Sequence, residues 1–170
     1  FSVMDNEIRD NEGTGLHAYR VDSLVARGQQ VERNHGGLYL KEVADARITA
    51  NDILDSRAWG IQLDRSGAMV DSTRVINTAT AGWAGGIYVF ADLQFPVADS
   101  LLYNQIAGNG GEGIHNDGRA NVVTRFNNVF DNLEYDFRNS STTWDEVDAR
   151  LNWWGRETTL EISELGFNPK

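Results

Sequence analysis

The chain of 170 residues has no cysteine, two prolines and two methionines. Without cysteine there can be no disulfide, no thiolate metal site and no cysteine nucleophile, although a continuously hydrogen-bonded fold needs no such staples in any compartment. Lysine is almost missing as well. Lys41 and Lys170 stand beside thirteen arginines, and 25 acidic residues bring the net charge to −10. The arginines are scattered among the carboxylates, so there is no basic patch to follow a phosphate backbone, and nucleic acid is excluded as a partner. No apolar run approaches the roughly 20 residues that span a bilayer, which excludes membrane insertion by a helix. Neither the calcium nonapeptide repeat nor the twelve-residue loop closing on Glu is present, so no metal and no cofactor are assigned. The acidity reads as solvation of a salt-exposed surface.

What is present is a repeat. Asn6-x-Ile8-x-x-Asn11 returns as Gln29-x-Val31-x-x-Asn34, Asn51-x-Ile53-x-x-Ser56, Thr73-x-Val75-x-x-Thr78, Asn104-x-Ile106-x-x-Asn109 and Asn127-x-Val129-x-x-Asn132. The central β-branched residues are spaced 23, 22, 22, 31 and 23 apart, the period of a solenoid rather than of a domain with one closed core. Five residues before each centre stand Val3, Ala26, Ile48, Val70, Leu101 and Thr124, the last able to turn inward if its hydroxyl finds a backbone partner. A third apolar site follows at Leu16, Leu38, Ile61, Ile87, Ile114 and Phe137. Three short apolar sites per 22 to 23 residues, parted by polar or glycine corners, predict three brief strands per triangular coil. Coils stacked about 4.8 Å apart would form parallel sheets, and the Asn, Gln, Ser and Thr columns would become internal hydrogen-bond ladders rather than catalytic groups.

On these residues the chain resembles the right-handed parallel β-helix repeat proteins, the pectate lyase-like superfamily. The repeat covers residues 1–140. Residues 141–170 read as a C-terminal cap: Asn152-Trp153-Trp154-Gly155 is similar to the closing segment of secreted bacterial members, and Thr158-x-x-Glu161 is a capping box for a short helix. The expected fold class is therefore all-β, a right-handed parallel β-helix of about six coils of 22–23 residues with a helical cap. Trp153 and Trp154 are expected to cover the last coil. Phe1 opens inside a strand-like segment without an initiating Met, so the chain reads as part of a longer polypeptide. Its first coil, with Val3, Ile8 and Leu16, is expected to make end-to-end contact with a neighbour. The superfamily holds lyases, hydrolases, epimerases, adhesins and proteins without chemistry, so the resemblance fixes no activity.

Function is sought where the repeat breaks. From Val75 to Ile87 there are 12 residues where other coils use 7 or 8, and from Ile87 to Leu101 there are 14 where others use 9 or 10. The two enlarged loops, 78–86 and 91–100, flank one strand and are expected to rise as walls beside its sheet. Strand alternation turns two columns outward on that sheet: His17, Tyr39, Gln62, Tyr88, His115, Arg138, and then Tyr19, Lys41, Asp64, Phe90, Asp117, Ser140. Aromatic rings interleaved with Asp, Gln and His suit the apolar faces and hydroxyl rims of pyranoses. The candidate ligand-binding residues are Tyr39, Gln62, Asp64, Trp83, Tyr88, Phe90 and His115, with Trp59 and Phe95 at the borders.

Asp64 and Asp117 are the candidate catalytic residues of a polysaccharide hydrolase or lyase. Two coils apart, their Cα atoms would lie about 9 to 10 Å apart, near the upper end of the separation used by inverting glycosidases. Phe90 stands between them, and the polygalacturonase and mannuronan epimerase motifs are missing. Neither His17 nor His115 has an evident serine partner for a nucleophilic triad. The reading is a secreted or cell-surface binding or adhesion module for polysaccharide or cell-surface glycan, without a catalytic centre. The rivals are an enzyme using Asp64 and Asp117, and a purely structural stalk.

Overall fold

The computed structural model describes residues 1–79, 84–94, 97–141 and 147–156. The helical part of the expected cap, with Thr158 and Glu161, lies outside them, as do Trp83 and Phe95. Coil one contains β1 (Ser2–Met4), β2 (Glu7–Arg9) and β3 (Thr14–Tyr19); coil two contains β4 (Ser23–Arg27), β5 (Gln30–Glu32) and β6 (Gly36–Lys41). Coil three contributes β7 (Asp45–Thr49), β8 (Asp52–Leu54) and β9 (Ile61–Asp64), and coil four β10 (Ala68–Asp71), β11 (Arg74–Ile76) and β12 (Ile87–Ala91). Coil five has β13 (Ala98–Leu102), β14 (Gln105–Ala107) and β15 (Ile114–Gly118), and coil six β16 (Asn121–Arg125), β17 (Asn128–Phe130) and β18 (Phe137–Ser141). Each position in the coil gives one six-stranded parallel sheet: sheet 1 from β1 to β16, sheet 2 from β2 to β17 and sheet 3 from β3 to β18.

The register matches the repeat residue for residue. Ile8, Val31, Ile53, Val75, Ile106 and Val129 stack through sheet 2, and Val3, Ala26, Ile48, Val70, Leu101 and Thr124 through sheet 1. Leu16, Leu38, Ile61, Ile87, Ile114 and Phe137 line sheet 3. Together they form one core along the axis, fully buried from coil two to coil five and partly exposed at Val3, Ile8 and Leu16. The hydroxyl of inward Thr124 is satisfied by a side chain, not the backbone, since Asn127 Nδ2 donates to it at 2.9 Å.

The polar columns are ladders. Successive backbone N–H groups donate to the next coil's side chain at Gln29 to Asn51 (2.9 Å), Asn51 to Thr73 (3.3 Å), Thr73 to Asn104 (2.9 Å), Asn104 to Asn127 (2.8 Å) and Asn127 to Asn152 (2.9 Å). Bent backbone is thereby satisfied inside the core, where an orphaned N–H would be costly. Asn152 carries the ladder beyond coil six. Bridges from Val123 to Asp148 and from Asn128 to Trp153 also start a seventh rung on sheets 1 and 2. Trp154 packs edge-on to Phe137 and against the core, as a cover should. Trp153 instead lies over outward Phe130 and remains 46% exposed.

The corner between sheets 1 and 2 does not depend on glycine. Asp5, Gly28, Ala50, Ser72, Tyr103, Phe126 and Leu151 form one stack of bends with φ between 51° and 65°. Left-handed backbone is unfavourable for L-residues, but each bend from Asp5 to Phe126 directs its N–H to the next one along the stack, as Asp5 does to Arg27 O at 2.9 Å and Ala50 to Asp71 O at 3.0 Å. At Gly28 a Cβ would meet only the end of the exposed Asp5 side chain, which can turn aside.

Candidate functional site

Both outward columns of sheet 3 lie on one face, as the pairings of β3, β6, β9, β12, β15 and β18 require. Tyr39, Gln62, Asp64, Tyr88, Phe90 and His115 are brought together there. The rings of Tyr88 and Phe90 are parallel within 2°, with centroids 6.5 Å apart along the strand. Trp59, from the corner before β9, leans over Tyr88 at 5.2 Å and His115 at 6.1 Å. His17 stacks on Tyr39 at 4.9 Å. The face is thus paved with rings from coil one to coil five.

Two tyrosines hold the two candidate acids. Tyr39 donates its hydroxyl to Asp64 Oδ2 at 3.2 Å, and Tyr88 to Asp117 Oδ2 at 2.9 Å. The remaining oxygens are also engaged. Asp64 Oδ1 accepts from Arg65 Nε at 2.9 Å, with Lys41 Nζ 3.8 Å from Oδ2, and Asp117 Oδ1 accepts from the Gly118 N–H at 2.7 Å. Burial, seconded by Asp117, raises the Tyr88 pKa well above that of an ordinary phenol; burial and Asp64 raise Tyr39. Both phenols stay protonated as donors at neutral pH.

A concavity of about 150 Å³ opens on the upstream side of Trp59, lined by Thr14, His35, Tyr39, Ala58, Trp59 and Gln62 among others. His35 and Thr14 were not signalled in the sequence, since His35 sits at a corner and Thr14 at the very start of β3, beyond the reach of the alternation. At the other end, Glu112 turns inward from a corner and takes Arg138 Nη1 at 2.8 Å, with its side chain 4% exposed. His115 Nε2 lies 2.5 Å from Ser140 Oγ. His115 therefore has the serine partner that the sequence does not reveal, since the pair forms only when β15 and β18 are placed in register. Burial is the main cause of a lowered His115 pKa, opposed by Glu112 and Asp117.

Of the first enlarged loop, Ala84, Gly85 and Gly86 are buried and lie in line with the neighbouring coils, Gly60 donating to Gly85 O at 3.0 Å and Gly86 to Glu112 O at 2.8 Å. The extra residues of the first loop fall in the stretch that includes 80–83, so that wall, and Trp83 with it, lies outside the described residues, as do Phe95 and Pro96 of the second loop, whose ends belong to β12 and β13. Among the described residues no group of three or more His, Asp or Glu side chains is gathered to hold a metal ion.

Fold and face together define a three-sheeted parallel β-solenoid with one aromatic, hydrogen-bonding sheet surface. The family model described as right handed beta helix region matches residues 1–144, and the chain belongs to that family. Comparison with curated proteins and with solved structures gives no match.

Proposed function

We propose that the outer face of sheet 3 binds extended glycan chains and that the protein acts outside the cell or at its surface as a binding or adhesion module. The observation that carries this reading is the paving of Trp59, Tyr88 and Phe90, flat apolar surfaces edged by Gln62, Asp64, His115 and Asp117. Such surfaces match the C–H faces of pyranose rings, while the polar edges meet the hydroxyls. The run of parallel coils favours a long ligand over a compact one.

The state of the two acids supports binding over glycosidic cleavage. A hydrolase needs one carboxylic acid with a proton to give and a second carboxylate open to water. Asp64 is tied to Tyr39, Arg65 and Lys41, and Asp117 to Tyr88 and the Gly118 N–H, with the Phe90 ring's position between them in register. Asp64→Asn and Asp117→Asn separate the readings. A binding face keeps glycan affinity within a few-fold in both variants and releases no reducing ends from any polysaccharide. Turnover by the parent chain that disappears in either variant would establish the hydrolase instead.

A further inference from the structure

At the downstream end of the face, His115 is also part of an arrangement with Ser140 and Glu112 that glycan binding does not require. Ser140 faces outward on β18, and its Oγ is 2.5 Å from Nε2 of His115 on the neighbouring strand β15. The other ring nitrogen, Nδ1, faces Glu112, with Oε1 at 3.9 Å. Glu112 is buried and held by Arg138. Hydroxyl, imidazole and buried carboxylate lie in sequence across one ring, the order in which a nucleophile, a general base and an orienting acid are used. The carboxylate on the Nδ1 side favours the tautomer protonated there, which leaves the Nε2 lone pair for the Ser140 hydroxyl. His115 packs against Tyr88 at 5.3 Å and Trp59 at 6.1 Å. That burial disfavours the imidazolium, so the ring is neutral at pH 7 and free to accept a proton.

We infer that Ser140 and His115 form a nucleophile and base pair that hydrolyses small neutral acyl esters, with glycan O-acyl groups as the substrate class on the reading that the same face holds glycan. Ser140 Oγ attacks the ester carbonyl carbon while its proton passes to His115 Nε2. The tetrahedral adduct collapses by breaking the bond to the alkoxy oxygen, which takes the proton from His115 and leaves as the sugar hydroxyl. Water then attacks the acyl-Ser140 ester, giving a proton to His115. On collapse the Ser140 oxygen leaves and recovers that proton, releasing the carboxylic acid. Arg138, the register partner of His115 and two residues before Ser140 on the same face, supplies the cation nearest in register for the charge on the carbonyl oxygen. Asp117 is the register partner of Ser140 and opposes an anionic acyl group, so a neutral one such as acetyl is selected.

The test uses the parent chain, Ser140→Ala and His115→Gln with p-nitrophenyl acetate and a fluorophosphonate probe. The expected result is one covalent adduct, mapped to Ser140 by peptide mass and absent from Ser140→Ala. Ester hydrolysis should fall on the order of 100-fold in both variants, as for loss of a positioned base or nucleophile. The pH profile of the parent should rise through a single ionisation below pH 6.5, the unperturbed imidazole value. No adduct at Ser140, or hydrolysis by Ser140→Ala at the parent rate, overturns the inference. Because the probe esters are not glycans, Ser140→Ala that binds polysaccharide like the parent shows the binding face to be intact whichever way the ester assay falls. A reactive Ser140 in a chain that binds no glycan would refute the substrate class and keep the pair.

Discussion

Tyr88 donates its hydroxyl to Asp117 Oδ2 at 2.9 Å, from one coil to the next and two residues further along the strand. Tyr39 repeats the relationship with Asp64 at 3.2 Å, so each acid is held by a phenol of the preceding coil rather than standing free in solvent. The bond spans two coils' strands and couples binding face to scaffold. Tyr88→Phe and Asp117→Asn should each cost about 1 kcal/mol, the ordinary net value of such a bond at a half-buried site. The double variant should cost little more than either alone, because both remove one interaction. Urea unfolding of the four proteins measures this, and full additivity would show that the bond is not formed in solution.

Asp99 gives the stability a pH dependence. It turns into the core of sheet 1 in the column of Leu24, Ala46 and Val122, 1% exposed, with Oδ1 accepting from the Ala68 N–H at 2.8 Å and Oδ2 without a partner. Burial pushes its pKa up to about 8. The folded state therefore holds the proton more tightly than the unfolded chain. Its contribution is fully present below about pH 4, the unfolded carboxyl value, and is lost as pH rises to about 8, by a few kcal/mol and on the order of 5 at most. Asp99→Asn should abolish that slope and be the more stable protein at pH 9. Parallel stability curves for the two proteins from pH 4 to 9 would contradict this.

The ladder and the apolar column should both be intolerant. Asn104 accepts from the Thr73 N–H and donates to Val70 O and Asn127 Oδ1, all between 2.9 and 3.0 Å and all buried. Asn104→Ala should cost about 2 to 4 kcal/mol through the buried groups it orphans. Ile53→Ala and Ile106→Ala should cost a similar amount, about 2 to 4 kcal/mol, through the cavities left. Gln62→Ala, on the outer face, should stay within about 0.5 kcal/mol of the parent. Denaturant midpoints at constant m-value check all four changes.

The solenoid was legible because side-chain direction and burial repeat every coil: Val31, Ile53 and Val75 cannot all be buried unless their strands stack. The outward columns followed from alternation alone, and so did the meeting of Tyr88, Phe90 and Asp117. Corners were not legible. No composition rule places Arg33, Tyr103 or Phe126 in left-handed bends, since the hydrogen bonds that hold them are made to the next coil. His35 and Glu112 reach the face from the corners that lead into sheet 3, where alternation does not extend. Ser140 gained significance only through the register of the last strand, and inward Asp99 breaks an otherwise apolar column without any local sign.

The most direct measurement of the glycan-binding account is titration of the parent chain, Trp59→Ala and Trp59→Ala with Tyr88→Ala against a panel of neutral and acidic polysaccharides, followed by calorimetry and tryptophan emission. The account predicts that at least one extended glycan binds the parent with a change in emission. Affinity should fall by roughly 1 to 3 kcal/mol in the double variant at unchanged thermal stability. Binding untouched by loss of both rings, or a parent chain silent to every polysaccharide, would contradict it and leave the solenoid as a structural stalk.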